Sequence, residues 1–295
     1  MNGNGRRFIT PSSTPSPEHY ANTRTFSCAM RNNRSMLHEY HTPVCELSID
    51  TEGGRVHSYS TAHGSLLYAS PDMQARDKHA GIPICAPWFG SGQIGSQHPS
   101  THGLVKWVPW DIVHEHVGDE IELILEPHHE QIPQLPGYEG YEGLHYRLHV
   151  HAGRTLKLDL HISAEKETVV DAAFHTYLAG QLPATVRLAP SLERNYVADT
   201  EGTFSGERRV DSAHDSVFLG GATQPIRVNT GTHQLLLISN QPDAVVWNPG
   251  VEDQRFTGDQ WKDFLCVETG AVQDHAATIP AGGEWVMSLE LAVDE

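Results

Sequence analysis

The stretch "LKLDLHIS", residues 156–163, alternates apolar and polar side chains at every position. Its leucines and isoleucine fall on one face of an extended chain, and its lysine, aspartate and histidine fall on the other face. A period of two over eight residues predicts a β-strand with one buried face and one exposed face.

Similar short runs, bounded by turn residues, recur from residue 44 to the end of the chain. They include "VCELSID", "RVHSYS", "SLLYAS", "EIELILE", "YRLHV", "QLLLIS", "AVVWNP", "FLCVE" and "WVMSLEL". The sequence has no convincing stretch of helical period and no repeat of fixed length. This pattern predicts an all-β chain that folds as a large antiparallel β-sandwich.

The charge balance restricts the partners of the protein. The 295 residues carry 37 acidic and 20 basic side chains, which gives a formal net charge of -17. Such a surface repels nucleic acid and anionic membranes, so we expect neither as a partner. A small anionic ligand would need a local basic pocket. Nothing in the sequence requires a dimer, and we expect a monomer.

The chain has two parts by composition. Residues 1–36 are rich in Asn, Ser, Thr, Pro and Arg without a period, and we expect a partly disordered extension. Residues 37–295 are expected to form a single β-sandwich catalytic domain. The arginines of the extension also fit an organellar transit peptide. The extension lacks the apolar core of a secretory signal. No apolar run reaches the roughly 18 residues of a membrane span, and we expect a cytoplasmic protein.

Cysteine and histidine side chains are the first candidates for metal ligands. The four cysteines lack metal-ligand spacing, which favours reduced, buried thiols. The segment "HEHVGDE" places His114 and His116 on one face of a strand, with Glu120 four residues later, and resembles the first metal motif of cupins. The flanking glycines and a second motif are missing. We therefore expect surface histidines and no metal site.

A segment rich in glycine, proline and aromatic residues spans 79–110, "HAGIPICAPWFGSGQIGSQHPSTHGLVKWVPW". Its prolines and glycines predict a stiff, bent path that regular strands do not need. Trp88 and Phe89 supply flat apolar faces of the kind that sugar C–H surfaces prefer, and His102 follows a glycine-rich loop. The segment fits either a crossover between sheets or a pocket wall in which Trp88 contacts a ligand.

Two titratable residues stand in apolar surroundings. Glu268 ends the alternating run "DFLCVETG", residues 263–270, so it is either a solvated strand end or a carboxylate placed in a cleft. His175 lies within "DAAFHTYLAG", residues 171–180, where a core histidine is the simpler interpretation. Acid–base chemistry near neutral pH uses such a pairing of imidazole and carboxylate.

Five motifs together resemble a known family. They are "AGIPICAPWFG", "THGLVKWVPW", "FHTYL", "VVWNPG" and "FLCVETGAV", in this order. The resemblance covers roughly residues 44–295 and is to the aldose-1-epimerase superfamily, and within it to the hexose-6-phosphate mutarotases, or glucose-6-phosphate 1-epimerases. It implies a galactose-mutarotase-type β-supersandwich and an isomerase that interconverts α and β anomers.

The resemblance also implies roles for individual residues. His175 corresponds to the general acid, Glu268 to the general base, and His102 to a residue that holds the sugar near its ring oxygen and C1. Asp215, in "AHDSVF", is the best match for an aspartate that binds sugar hydroxyls. Mutarotation changes no oxidation state, so we expect no cofactor.

The match departs from the phosphate-handling members at two basic positions. They usually carry arginine where this chain has His79 and Lys106. Lysine can hold a phosphate as a point charge but lacks the bidentate fork of arginine. Arg76 and Lys78 lie close by in sequence and could substitute. A neutral-sugar aldose 1-epimerase and a non-catalytic carbohydrate-binding protein on the same fold therefore stay open as alternatives.

Overall fold

The computed structural model describes residues 37–69, 79–92 and 97–294. The extension predicted for residues 1–36 lies outside these ranges, as do Arg76 and Lys78. The division into an extension and a single domain over 37–295 therefore stays a prediction.

Strands form most of the described chain. They are β1 (Leu37–His41), β2 (Cys45–Asp50), β3 (Arg55–Thr61), β4 (Gly64–Ser65), β5 (Ile84–Cys85), β6 (Trp110–Val117), β7 (Ile121–Pro127), β8 (Leu144–Ala152), β9 (Leu156–Ala164), β10 (Thr168–Val170), β11 (Ala172–Phe174), β12 (Tyr177–Ala179), β13 (Ala184–Asn195), β14 (Thr200–Val210), β15 (His214–Leu219), β16 (Ile226–Asn229), β17 (Gln234–Ser239), β18 (Asp243–Asn248), β19 (Phe264–Ala271), β20 (Ala277–Ile279) and β21 (Gly283–Val293). Short 3₁₀ helices span Val105–Trp107, His129–Gln134, Gln260–Lys262 and Gln273–His275.

The described strands pair antiparallel in three sheets. The largest has 15 strands in the order β5-β11-β19-β18-β15-β13-β16-β17-β21-β9-β8-β7-β6, with β12 added beside β19 and β14 beside β13. A four-stranded sheet has the order β1-β2-β3-β4, and β10 pairs with β20. The prediction of an all-β, antiparallel fold is confirmed.

Strand β9 shows why the alternating pattern is reliable. Leu156, Leu158, Leu160 and Ile162 are at most 1% exposed, and the polar residues between them are more exposed. Leu160 stands opposite leucine on β8 and methionine on β21, so the buried face continues across three strands. Burial of this face supplies much of the free energy that orders the sheet.

Strand β19 differs because both of its faces are covered. Leu265 and Val267 pack into the main core, whereas Phe264 and Cys266 pack into a smaller aromatic cluster on the other side. Glu268 follows on the same face as that cluster and is only 2% exposed. It is therefore a buried carboxylate inside a strand and not a solvated strand end.

None of the helices in the described ranges has the length and apolar character needed to cross a membrane.

The β9 pattern leads to a stability prediction. Leu160→Ala leaves a cavity between β8, β9 and β21, and we expect the free energy of unfolding to fall by about 2–5 kcal/mol. Lys157→Ala, on the opposite face of β9, removes only an exposed ion pair with Glu290 and should change it by less than about 1 kcal/mol. Urea unfolding of both variants measures the difference. Equal effects would contradict the assignment of the buried face.

Candidate active site

A cavity of about 610 Å³ opens on one face of the large sheet. Strands β15, β18 and β19 form its floor, and the segment that begins at His79 forms one wall. The lining residues are Arg55, His79, Pro83, Cys85, Phe89, Gly90, Ser91, Gly92, Thr101, His102, Lys106, His175, Tyr177, Tyr196, Asp215, Val217, Val245, Trp247, Arg255, Glu268 and Gln273.

The strand register explains why the floor residues point into the cavity. Asp215 on β15 pairs with Trp247 on β18, and Val245 on β18 pairs with Glu268 on β19. Paired residues share one face of an antiparallel sheet, and residues two apart on a strand share it as well. Asp215 and Glu268, on the two strands that flank β18, therefore face the same space.

His175 lies in the short gap between β11 and β12. Its backbone N–H donates to the carbonyl of Pro83 at 3.0 Å, which ties it to the cavity wall. Its ring stacks on Tyr177, with ring centroids 4.8 Å apart and planes inclined by 12°. The stack fixes the direction in which the imidazole points.

His175 and Glu268 meet at the bottom of the cavity. Nε2 of His175 lies 3.4 Å from Oε1 of Glu268, and the two side chains are 10% and 2% exposed. Among the described residues, neither Nδ1 of His175 nor Oε2 of Glu268 has a hydrogen-bond partner. Buried polar atoms are normally paired, so unpartnered atoms on both side chains of this pair indicate a site prepared for a polar ligand.

Burial determines where the pair holds its proton. Desolvation, followed by the basic side chains of His102, Lys106 and His79, lowers the pKa of His175 well below its usual value. Desolvation, followed by Asp215, raises the pKa of Glu268 well above its usual value. Both shifts disfavour the ion pair and favour the uncharged forms of the two side chains.

The same influences divide the cavity into two ends. Besides burial, His102, Lys106 and His79 lower the pKa of His175, whereas Asp215 adds to the raised pKa of Glu268. Burial raises the pKa of Asp215 to about 6, so it is ionised above that pH. We call the part of the cavity lined by His79, His102 and Lys106 the basic end, and the part lined by Asp215 the acidic end.

His102 is held in an unusual backbone conformation. Its φ is +61°, and the next residue, Gly103, has φ +75°. A Cβ on Gly103 would lie 1.9 Å from the carbonyl oxygen of Ala86, so only glycine fits there. The Gly90 N–H donates to Nδ1 of His102 at 3.3 Å, which places the ring proton of a neutral imidazole on Nε2. The His102 ring lies edge-on to His175, with centroids 5.3 Å apart.

The basic end contains residues that the sequence predicted and residues that it did not. His79 and Lys106 both line the cavity, as predicted. Arg55 and Arg255 line it as well and were missed. Arg255 contacts Nε2 of His79 at 3.4 Å and lies over the ring of Trp247, 5.6 Å from its centroid.

The two arginines had different signals in the sequence. Arg55 begins the strand "RVHSYS" and is 3% exposed, with its Nε 3.7 Å from the buried carboxylate of Asp50. A charged residue at the start of an apolar strand was a usable signal. Arg255 lies in the loop before β19, where no period constrains its direction, so the sequence carried no signal for it.

The structure does not place Trp88 in the cavity, which corrects our expectation of a ligand contact. Trp88 is 0% exposed. Its ring stacks on His98 at 3.9 Å and its indole N–H donates to the carbonyl of Ser100. The neighbouring Phe89 lines the cavity instead. Arg76 lies outside the described residues.

The histidine-rich strands do not assemble a metal centre. In the described ranges, no group of three or more His, Cys, Asp or Glu side chains has an arrangement that could hold a metal ion. Glu120, the expected third residue of the "HEHVGDE" pattern, instead contacts Nε2 of His151 at 2.7 Å.

Comparison with known proteins agrees with this geometry. The model of the aldose 1-epimerase family matches residues 45–292, which include every candidate residue named above. The chain belongs to the aldose 1-epimerase family. The resemblance seen in the sequence motifs is thereby confirmed, and the enzyme is a carbohydrate epimerase.

Individual relatives extend this result. A protein of Cenchrus ciliaris named "Putative glucose-6-phosphate 1-epimerase" is 28% identical over 271 residues, which cover 82% of this chain and 79% of the relative. A protein of Escherichia coli K12 with the same name is 25% identical over 249 residues, covering 77% and 80%. The crystal structure of a "putative mutarotase" from Salmonella typhimurium superposes with a TM-score of 0.78 at 19% identity, covering 90% and 92%. This likeness confirms the predicted galactose-mutarotase-type fold.

The shared proton of the pair predicts a bell-shaped dependence of kcat/KM on pH. Below the lowered pKa of His175 the pair takes up a second proton and loses its base, and above the raised pKa of Glu268 it loses its last proton and its acid. Because burial lowers the pKa of His175, the acid limb should lie below the ordinary histidine pKa of about 6.5. Rates of anomer interconversion across the pH range measure this. An acid limb above about 6.5 would contradict it.

Proposed function

We propose that this protein is a hexose-6-phosphate mutarotase, a glucose-6-phosphate 1-epimerase, in which His175 and Glu268 perform the proton transfers. The observation that carries the proposal is the buried contact between these two side chains at 3.4 Å, inside a cavity whose adjacent end is basic. The names of the two relatives from Cenchrus ciliaris and Escherichia coli support the same substrate class.

The reaction needs one acid and one base placed on the same sugar. Glu268 takes the proton from the anomeric hydroxyl while His175 gives a proton to the ring oxygen. The bond between C1 and the ring oxygen breaks, the open aldehyde rotates about C1–C2, and the reverse transfers close the other anomer. His175 and Glu268 exchange roles in the return direction. The number of protons on the enzyme is the same before and after, as a reversible isomerisation requires.

A substrate phosphate at the basic end affects which side chain of the pair, His175 or Glu268, holds the proton. The lowered pKa of His175 and the raised pKa of Glu268 favour the proton on Glu268, whereas ring opening needs it on His175. Lys106 and His79 contribute to the lowered pKa of His175. A phosphate bound beside them offsets their positive charge and shifts the pKa of His175 upward, which favours the proton on the imidazole. Binding of an anionic sugar thereby prepares the pair for the chemical step.

A basic end is unusual on this protein as a whole. The chain carries a formal net charge of -17, yet Arg55, Lys106 and Arg255 line one cavity. An arginine beside a phosphate provides paired donors, which Lys106 alone lacks. Arg55, which contacts Asp50, and Arg255, which forms an ion pair with Asp253, supply guanidinium groups although the expected arginine positions hold His79 and Lys106.

The first prediction concerns the base. Glu268→Gln keeps the shape of the side chain but cannot take a proton, so we expect kcat to fall by about 10²- to 10⁴-fold while sugar binding survives. Magnetisation exchange between the α and β anomers by NMR measures turnover, and calorimetry measures binding. Glu207→Gln, on the exposed strand β14, is the matched control and should leave both unchanged. Full turnover by Glu268→Gln would remove Glu268 from the mechanism.

The second prediction concerns the phosphate. Lys106→Ala should raise KM for glucose 6-phosphate by about tenfold or more, the effect of a hydrogen bond between charged groups, and should change KM for glucose much less. Lys106→Arg restores the charge and should recover most of the loss.

The control for this prediction is Lys262→Ala. Lys106 lies over the ring of Trp107, and Lys262 lies over the ring of Trp261 in the same way. Lys262 does not line the cavity, so its removal should change neither KM. Equal effects of Lys106→Ala on KM for both sugars would show that Lys106 does not recognise the phosphate. A neutral-sugar aldose 1-epimerase would then be the better assignment. If the wild-type protein turned over none of the sugars, a carbohydrate-binding protein would be favoured.

That the protein acts in the cytoplasm, as a monomer and without a nucleic-acid or membrane partner, stays a prediction.

A further inference from the structure

Gln273 occupies a strained backbone position at the cavity wall. It follows the catalytic strand β19, five residues after Glu268, and its φ is +54°. A left-handed conformation costs a residue with a Cβ on the order of 1–2 kcal/mol. Such strain persists where the surroundings determine it, and it clusters at functional sites. Among the described non-glycine residues, only His102, Asp199 and Gln273 have positive φ, and two of these three line the cavity.

Two buried carboxyl groups hold this backbone in place. The Gln273 N–H donates to Oδ2 of Asp171 at 3.3 Å, and the preceding Val272 N–H donates to Oδ2 of Asp243 at 3.0 Å. Both aspartates are 1% exposed. Each such carboxyl is costly to bury, so the position of Gln273 is strongly determined by its surroundings.

The side-chain amide of Gln273 has a defined orientation. Nη1 of Arg194 contacts it at 2.7 Å, and because a guanidinium can only donate, the contacted atom is the oxygen Oε1. Nε2 then donates to the hydroxyl of Tyr196 at 2.6 Å. These two contacts use half of the four hydrogen-bonding sites of the amide. Within the described part of the chain, one N–H and one lone pair are left for a ligand, as is the hydroxyl hydrogen of Tyr196.

This amide lies at the acidic end of the cavity. The Tyr196 N–H donates to the carbonyl of Asp215 at 2.8 Å, and Asp215 is the charged group that acts on Glu268. Gln273, Tyr196 and Asp215 all line the cavity, and the backbone contact connects Tyr196 to the residue that adds to the raised pKa of Glu268.

The chemistry of a hexose 6-phosphate determines which hydroxyl reaches this end. C5, which carries C6 and the phosphate, is bonded to the ring oxygen, so the phosphate lies on the side of the ring oxygen and therefore of His175. C2 is bonded to C1 on the other side, next to the hydroxyl that Glu268 deprotonates. A sugar with its phosphate at the basic end consequently presents its C2 hydroxyl to the acidic end.

We propose that Gln273, oriented by Arg194 and Tyr196, is a specificity-determining residue that hydrogen-bonds the C2 hydroxyl of the sugar. This inference rests on the proposed function for the orientation of the substrate. A hydroxyl both donates and accepts, and the remaining N–H and lone pair of the amide match both capacities.

The test compares sugars with and without the C2 hydroxyl. We measure dissociation constants and kcat/KM for glucose 6-phosphate and 2-deoxyglucose 6-phosphate with wild-type protein and Gln273→Leu. The variant should lose about three- to tenfold on glucose 6-phosphate, the effect of one neutral hydrogen bond, and should be unchanged on the deoxy sugar. Equal losses on both sugars, or no loss on either, would overturn the proposal.

Two controls keep the result interpretable. Gln273→Gly accepts a φ of +54° without strain, so it should fold even where Gln273→Leu does not, and it should show the same selective loss. Gln234→Leu, on the exposed start of β17, should behave as wild type.

Glucose and 2-deoxyglucose are run in parallel to separate this inference from the proposed function. If the phosphorylated sugars show no advantage, the hexose-phosphate assignment fails, but the comparison at C2 still decides the role of Gln273. The dissociation constants decide it even for a sugar that is not turned over.

Discussion

The burial of Glu268 against His175 is the constraint on which the rest of the site depends. A carboxylate at 2% exposure would cost several kcal/mol if it stood alone. Here it shares one proton with an imidazole 3.4 Å away, so the pair need not carry a buried charge. The central strand β19 excludes water from both of its faces, and this exclusion shifts the two pKa values in opposite directions. A solvated glutamate at this position could not perform the same role.

Many of the strands could be predicted from the alternation of apolar and polar residues in the sequence. The alternation in β9 and the apolar run of β19 predicted strands that the structure contains, because side chains on a pleated strand must alternate between its faces. The order of the strands could not be predicted in this way. The neighbours of β19 are β11, β12 and β18, and those pairings join residues as far apart as Ala172 and Ala271. Periodicity describes which face a residue takes and contains no information about its distant partner.

The site residues likewise fall into those that the sequence could locate and those that it could not. The family motifs located His175, Glu268, His102 and Asp215, and the structure brings all four to one cavity. Trp88 was misplaced because composition indicated a pocket wall without indicating which of two adjacent aromatic side chains faces inward. Arg255 and Gln273 were missed because loops and left-handed positions leave no periodic signal. The direction of Gln273 depends on hydrogen bonds to Asp171 and Arg194, which are 102 and 79 positions away in sequence.

The central claim is that a pair sharing one proton interconverts the anomers of a sugar whose phosphate lies at the basic end. The most direct measurement is magnetisation exchange between α and β anomers by NMR with the wild-type protein, with glucose 6-phosphate, glucose and galactose at equal concentration. The account predicts strong acceleration for glucose 6-phosphate and little for the two neutral sugars. Acceleration of the neutral sugars alone, or of none of the three, would contradict it.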